Sequence, residues 1–388
     1  MNHFTRRITV AGVGLAWVAM TTGCAALLPT PIAARAAPRA AHRARQPAPH
    51  PALAGYTDLR GAIHLHTDAS HDGTTPLPTV VRLATSAGLD FIVITDHNTL
   101  AQWPHEQRTG RPLVLVGDEL STSAGFLLAL FIQHEISRDQ PVEQILEQIH
   151  HQGGLAIVAN PTARKRPWTR WDLAIDGLEI FDFNTMFRAE PAWWLIVKTV
   201  LLPNPLLWHS AVHRPDEPLA LWDRELARRP LIGIAGHDVH AHLRIGPWVV
   251  DSFSGGFQTM STHVLVTAPT AEALAEGLRH SRCYVAFDGV GDPTPFLFAI
   301  QRAGGWALMG DHVRWDAHLE AVVEVPQSGT IALRRNGHCV GCVRGRTMHW
   351  TLSEPGVYRI EVMRRSRLWI ISNPIYIEKQ PQGLSGKD

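Results

Sequence analysis

Five short groups in this chain carry side chains able to hold a cation: His64-Leu65-His66, Ser70-His71-Asp72-Gly73, Thr95-Asp96-His97-Asn98, Gly117-Asp118-Glu119 and Gly236-His237-Asp238-Val239-His240. Imidazole nitrogens and carboxylate oxygens together bind divalent first-row metals. Such cations lower the pKa of a bound water towards about 7 and neutralise charge developing on an ester oxygen, so no protein nucleophile is required. The chain has no Gly-x-Ser-x-Gly elbow, no Walker phosphate loop and no Cys set against these histidines, which leaves covalent and nucleotide-driven mechanisms without support.

Any one of these groups alone is weak; their shared position gives them weight. Short apolar runs at 62–66, 91–95, 113–116, 127–132, 155–159, 178–181 and 231–235 are bounded by Gly or Pro and read as strands buried on both faces, with helix-like stretches at 78–87 and 142–152. An α/β barrel is the simplest closure, and its strand C-termini converge on one mouth. Within the first strand, alternation of side chains is expected to place His64 and His66 on one face. From about residue 293 the texture changes to short alternating segments at 319–325, 330–335, 349–352, 357–363 and 370–378, divided by turn signals such as Asn336-Gly337 and Pro355-Gly356. This predicts a small all-β sandwich over 293–380 and a flexible tail over 381–388.

Composition agrees with a chain of about two domains: 388 residues, 36 Lys and Arg against 35 Asp and Glu, and only 18% charged. A net charge of +1 supplies no global field to recruit nucleic acid, and no nucleic-acid partner is expected. Imidazole is abundant at 22 His, whereas 4 Cys are too few to staple a chain of this length. Arg6 and Arg7 precede an uncharged run over 8–23 that ends in small residues before Cys24, so residues 1–24 read as an export signal to the cell envelope or periplasm. The run resembles a bacterial lipoprotein signal with Cys24 as a lipid anchor to the membrane, although Thr21 stands where an aliphatic residue is usual; simple cleavage, an uncleaved anchor and twin-arginine export are the alternatives. Residues 25–56, rich in Ala, Pro and Arg, read as a disordered tether.

The groups His64-Leu65-His66-Thr67, Ser70-His71-Asp72-Gly73, Thr95-Asp96-His97-Asn98 and Asp238-Val239-His240 resemble, in order, the motifs of the PHP family, the polymerase and histidinol phosphatase metallohydrolases. The resemblance spans about residues 57–290, and the barrel domain is expected over 57–292. It implies a distorted (β/α)7 barrel whose mouth binds divalent manganese, iron or zinc, and hydrolysis of phosphate esters. Carried over by position, His64, His66, Glu119 and Asp238 hold one metal, Glu119 is able to bridge, and Asp72, His97 and His240 hold another, with His71 the alternative to Asp72. Glu119, Asp238 and His240 are then the catalytic residues. Asp96 is expected to orient His97 or cap the following turn.

Two positions depart from that pattern. Phe126 follows Gly125 where a histidine is common, and Val158-Ala159-Asn160-Pro161 replaces a His-Pro, so the metal position served by both is expected to be empty or weak and two metals to remain. Solvent exposure is expected for His134, His150 and His151. Asn160, Glu179, Asn184, Arg164 and Arg244 are candidates to line the pocket or clamp an anionic substrate, and Arg282 is a further cation to consider. The apolar stretch 191–208 is too short and too interrupted by proline to be a simple transmembrane helix, and reads as a packed lid or as an interfacial segment. Cys339 and Cys342 read as a local disulfide or two free thiols. The closing residues Trp369 to Tyr376 resemble the last strand of the Ig-like domains that follow PHP barrels in exported proteins.

The expectation is a metal-dependent hydrolase of a small-molecule or envelope ester, phosphate first and carboxylic ester or carbamate second. The competing class is a metal-containing module that binds an anionic envelope ligand without turning it over.

Overall fold

Ligand-bearing strand ends require a closed sheet to meet, and the first seven strands form one. The structure, a computed structural model, describes residues 50–379 apart from 184, 185, 188, 189 and 247. The export signal, most of the tether, Asn184 and the tail therefore lie outside the described residues. Strands β1 (Thr57–Leu65), β2 (Phe91–His97), β3 (Leu113–Thr122), β4 (Gly125–Leu130), β5 (Leu155–Ala159), β6 (Gly177–Asp182) and β7 (Ile232–Val239) pair in order, and β7 pairs back onto β1.

The barrel is mixed. Only two residues separate β3 from β4, too few for a crossover, so β4 runs antiparallel to both of its neighbours while the other pairings are parallel. Helices α1 (Leu77–Ala87) and α2 (Val142–His151) pack outside, burying Leu77, Val80 and Ala84 in the first and Val142, Ile145, Leu146 and Ile149 in the second. Gly88, at φ +71°, ends α1 in the left-handed conformation that glycine adopts at least cost. No α-helix lies between β2 and β3. Between β6 and β7 come α3 (Ala192–Leu201), α4 (Asn204–Ser210) and α5 (Asp216–Leu226).

Alternation divides the barrel strands into two apolar sets. Ile63, Phe91, Val93, Leu113, Leu115, Leu128, Leu130, Ile157, Ile232 and Ile234 share one cluster. Their neighbours Ala62, Ile92, Ile94, Val114, Val116, Leu127, Val158 and Ala235 share another with α1 and α2. The helices mark the second set as the outer face, so the first lies inward. Continuing the inward parity toward the C-terminal ends gives Thr95 and His97 on β2, Gly117 and Glu119 on β3, and Gly236 and Asp238 on β7.

Beyond β7 lie a short hairpin, β8 (Arg244–Ile245) with β9 (Trp248–Val249), then α6 (Phe253–Thr259), β10 (Ser261–Val266), α7 (Ala271–Arg279) and β11 (Cys283–Ala286). Ser252 and Thr270 cap α6 and α7 by accepting from the Gly255 and Ala273 amides. Strand β10 pairs antiparallel with the first half of β1, and β11 pairs with β10. The remainder is all β: β12 (Leu297–Arg302), β13 (Gly305–Leu308), β14 (His312–Arg314), β15 (Glu320–Arg335), β16 (His338–Thr351), β17 (Gly356–Arg364), β18 (Arg367–Ser372) and β19 (Ile375–Glu378). Its strands surround an apolar cluster that includes Phe298, Val323, Ile331, Ile360 and Trp369. Pairing of β11 with β18 makes the hydrogen-bonded sheet continuous from the barrel into these strands. The thiols of Cys339 and Cys342, both exposed on β16, are free.

Candidate metal centre

His64 departs from simple strand alternation. The register of β1 against both β2 and β7 shifts between Ile63 and Leu65, and His64 sits at φ +68°. This bulge puts His64 on the inward face directly after inward Ile63, and His66 follows on that face after outward Leu65. Asp238 is likewise left-handed, at φ +47°. Non-glycine residues adopt this conformation at a cost, and His64 and Asp238 both bear donor atoms.

Four buried side chains converge. Nε2 of His64 lies 3.2 Å from Oε2 of Glu119 and 3.5 Å from Oδ1 of Asp238, while Nε2 of His66 lies 3.3 and 3.5 Å from the same two oxygens. Metal bonds of about 2.0–2.2 Å at tetrahedral angles separate donor atoms by about 3.3–3.6 Å. Nε2 of both histidines and Oε2 of Glu119 are buried with no hydrogen-bond partner, the condition expected of lone pairs aimed at a cation. The residues therefore fit a divalent metal.

Beside this set is a triangle. Nε2 of His97 and Nε2 of His240 lie 3.5 and 3.4 Å from Oδ1 of Asp72, and 3.4 Å from each other. Nδ1 of His97 is 3.0 Å from Oε2 of Glu119, so Glu119 borders both sets. His66 stacks on His240 with centroids 4.0 Å apart. The structure brings together His64, His66, Asp72, His97, Glu119, Asp238 and His240; His71 is exposed at the edge, its Nε2 3.8 Å from Asp72.

Hydrogen bonds behind the donors set which nitrogen is free. Nδ1 of His64 contacts Oε1 of Glu179 at 2.6 Å, and Nδ1 of His240 contacts the Asp238 carbonyl at 3.1 Å. Nδ1 of His66 contacts Oγ of Ser70 at 3.1 Å; that hydroxyl donates to Asp96 at 2.9 Å, so the imidazole is the donor to it. In all three rings the contact at Nδ1 favours a proton there, so that Nε2 is the nitrogen a cation would take. Asp96 also accepts from the Thr67 amide and hydroxyl at 2.6 and 2.7 Å. It thus ties down the loop carrying His66 and does not touch the His97 ring, where the sequence pointed to His97 or the following turn. Ser70, whose Oγ also accepts from the His97 amide at 3.0 Å, was missed, since a lone serine in a loop carries no signal of its own.

The charges are mutually supporting. Burial, the largest influence on each group, would raise the Glu119 and Asp238 carboxyls, yet the imidazoles hold both well below their ordinary range. Burial would lower His64 and His97, yet adjacent carboxylates drive His64 well up and raise His97 to about 10. His240 falls to about 4, through burial and then repulsion from His66. His237, in the same sequence group, points away and contacts the Ile63 and Met260 carbonyls.

Other expected residues fall elsewhere. Glu179 is buried behind His64, and its second oxygen accepts from the Asn160 amide at 2.8 Å. Nδ2 of Asn160 reaches Oδ2 of Asp238 at 3.3 Å, and Phe126 carries the Arg166 guanidinium 4.6 Å above its ring. Arg164 and Arg244 are exposed, with no contact to the donor groups. Arg282 binds Asp311 at 2.7 Å, far from this centre in the fold. His150 pairs with Asp176 at 2.9 Å. Within the stretch 191–208, Leu195, Leu207 and Trp208 are packed, whereas Trp193 and Leu201 stand in solvent.

Comparison with known proteins adds three likenesses. A two-domain protein from Bacteroides vulgatus, containing a predicted PHP-like metal-dependent phosphoesterase, superposes with a TM-score of 0.43 at 15% identity, covering 85% of this chain and 98% of that one. A lesion-specific endonuclease from Pyrococcus furiosus gives 0.34 at 12% identity over 57% of this chain and 56% of that one. An uncharacterized protein of Methanocaldococcus jannaschii is 28% identical over 140 residues, 32% of this chain and 82% of the relative. No family model matches the chain.

Proposed function

We propose that this protein is a metal-dependent hydrolase of the PHP type, acting on phosphoesters. The observation that carries the reading is the set of four donor atoms at tetrahedral edge distances, sharing Glu119 with the neighbouring triangle of Asp72, His97 and His240. Divalent manganese, iron or zinc held there, with a coordination position beyond the four protein donors, would supply Lewis acidity to an ester oxygen and acidify a bound water. The protein's part is to hold the donors rigid and dry: His64, His66, Glu119 and Asp238 are buried, and Glu179 and Ser70 fix the two imidazoles. Asp72, partly open, and exposed Arg164 and Arg244 mark the side from which an anionic substrate would approach.

Phe126 and Asn160 favour two metals per chain, and they are also the ground for a second reading, a binding module that retains metal without turnover. We read β12–β19 as an Ig-like sandwich that buttresses the barrel. The apolar run over 8–23 and Cys24 support an exported protein tethered to the membrane, with an envelope or small-molecule ester as substrate.

The test is elemental analysis of the purified chain with turnover of phosphomonoester, phosphodiester and carboxyl-ester substrates, beside His64→Ala and Asp238→Ala. About two metals per chain, with phosphoester turnover lost in both variants, is the expected result. Unchanged hydrolysis in the variants would sink the proposal, and metal without any turnover would favour the binding module.

A further inference from the structure

Among the described residues the exposed large apolar side chains are confined to three segments, each of which leaves the C-terminal end of a barrel strand. Trp103 follows β2; Trp193, Trp194, Ile196, Val200, Leu201 and Leu206 follow β6; Trp248 follows β7. Those are the strands that carry His97, Glu179 and Asp238. Helix α3 buries only Leu195 and Thr199, while Trp193, Ile196 and Val200 form an outward stripe at i, i+3 and i+7, with Trp193 67% and Leu201 71% exposed. Helix α4 ties this stretch to the hairpin bearing Trp248, because Nε1 of Trp208 donates to the Val250 carbonyl at 2.9 Å. Water is a poor environment for such a stripe, and a helix apolar on nearly every side calls for a second apolar phase.

Cations also follow the C-terminal ends of barrel strands, β5 and β7. Arg164, Lys165 and Arg166 follow β5 and are exposed, as is Arg244 after β7. Tryptophan and leucine beside Arg and Lys is the combination that enters the boundary between acyl chains and anionic headgroups. The proposed N-terminal membrane tether is long enough to let this surface reach a bilayer: between the uncharged run over 8–23 and the first described residue lies a stretch that would span, when extended, roughly 90 Å.

We propose that α3, α4 and the β8–β9 hairpin form a docking surface for an anionic phospholipid bilayer. Trp193, Ile196, Val200, Leu201 and Trp248 enter the interface, and Arg164, Lys165 and Arg244 meet the headgroups. The geometry stands on exposure and topology and does not depend on turnover at the metal centre.

The full chain reconstituted in phosphatidylglycerol bilayers, compared with Trp193→Gln/Leu201→Gln, tests this by amide hydrogen exchange. Both chains carry the same N-terminal segment, so any contribution it makes to membrane binding is equal in the two. Docking predicts about tenfold slower exchange over 192–210 and 244–249 in the parent than in the variant, with 338–351 exchanging alike in the two. Equal exchange over 192–210 in the two chains overturns the proposal. Protection that is as strong in phosphatidylcholine overturns the anionic headgroup, and protection that grows with protein density assigns the surface to a second copy of the chain.

Discussion

Glu179 faces His64 at 2.6 Å across Nδ1, in space that exists only because residue 236 is glycine: a Cβ there would lie 2.0 Å from Oε1 of Glu179. A strand-end acid is thus placed behind a donor imidazole, where it keeps the proton on Nδ1 and raises the basicity of Nε2. Glu179→Gln preserves the shape and removes the charge. Metal affinity, read by competition with a chromophoric chelator, should fall about tenfold or more. Unaltered affinity would show that Glu179 does not tune the ligand.

Ser70 is a single atom's connection between two donors. Its Oγ accepts from Nδ1 of His66 and the His97 amide while donating to Asp96. Ser70→Ala leaves two buried donors without a partner, at about 1–3 kcal/mol each at most. Chemical denaturation should show the loss of stability, and metal affinity should fall alongside it. A variant with wild-type stability and affinity would contradict the role assigned to this hydroxyl.

A second buried polar group lies away from the metal centre, where β1, β10 and β11 meet. His263 contacts Asp58 at 2.8 Å and Asp288 at 3.8 Å, stacks on Tyr284, and is accompanied by Arg60, which binds Asp288 at 2.9 Å. Burial opposes its charge, but the two aspartates push it up to about 9. A histidine raised in this way adds stability in full below its unfolded pKa of about 6.5, and the contribution disappears as pH rises through about 9. The difference corresponds to about 3 kcal/mol. Urea midpoints measured from pH 6 to pH 10 should fall more steeply for the parent than for His263→Gln; parallel curves would remove His263 from the account.

The C-terminal strands are joined to the barrel by charge as well as by the β11–β18 ladder. Arg359 on β17 is buried and binds Asp223 of α5 through two bonds of 2.7 Å, and Glu361 accepts from Arg359 and Arg214 at 2.8 Å. Removing Asp223 leaves two guanidinium donors of buried Arg359 unpaired while Glu361 still balances its charge. Asp223→Ala should cost about 1–3 kcal/mol and lower the melting temperature, whereas loss of an exposed pair such as Arg170 with Asp172 should leave it nearly unchanged. Calorimetry of the two variants, Asp223→Ala and Asp172→Ala, distinguishes these outcomes.

Local chemistry made much of the site legible. His64, His66, His97, Glu119, Asp238 and His240 all stand at or just past the ends of apolar strands, and the period of two in Phe91-Val93-Thr95-His97 and Ile232-Ile234-Gly236-Asp238 is visible in the sequence. The apolar runs that bury both faces of a strand are equally visible, because burial and alternation are local properties of the chain. What tertiary structure alone decided depends on pairing between distant segments. The bulge at His64 exists only as a register shift between β1 and its two neighbours, so simple alternation could not anticipate it. The antiparallel turn of β4 follows from its partners, and the duties of Glu179, Ser70 and Asp96 follow from which atoms lie across from them. The same holds for Trp193 and Leu201: an aromatic, apolar helix reads as core until its neighbours are known, and it is the narrow face offered by Leu195 and Thr199 that leaves the others in water.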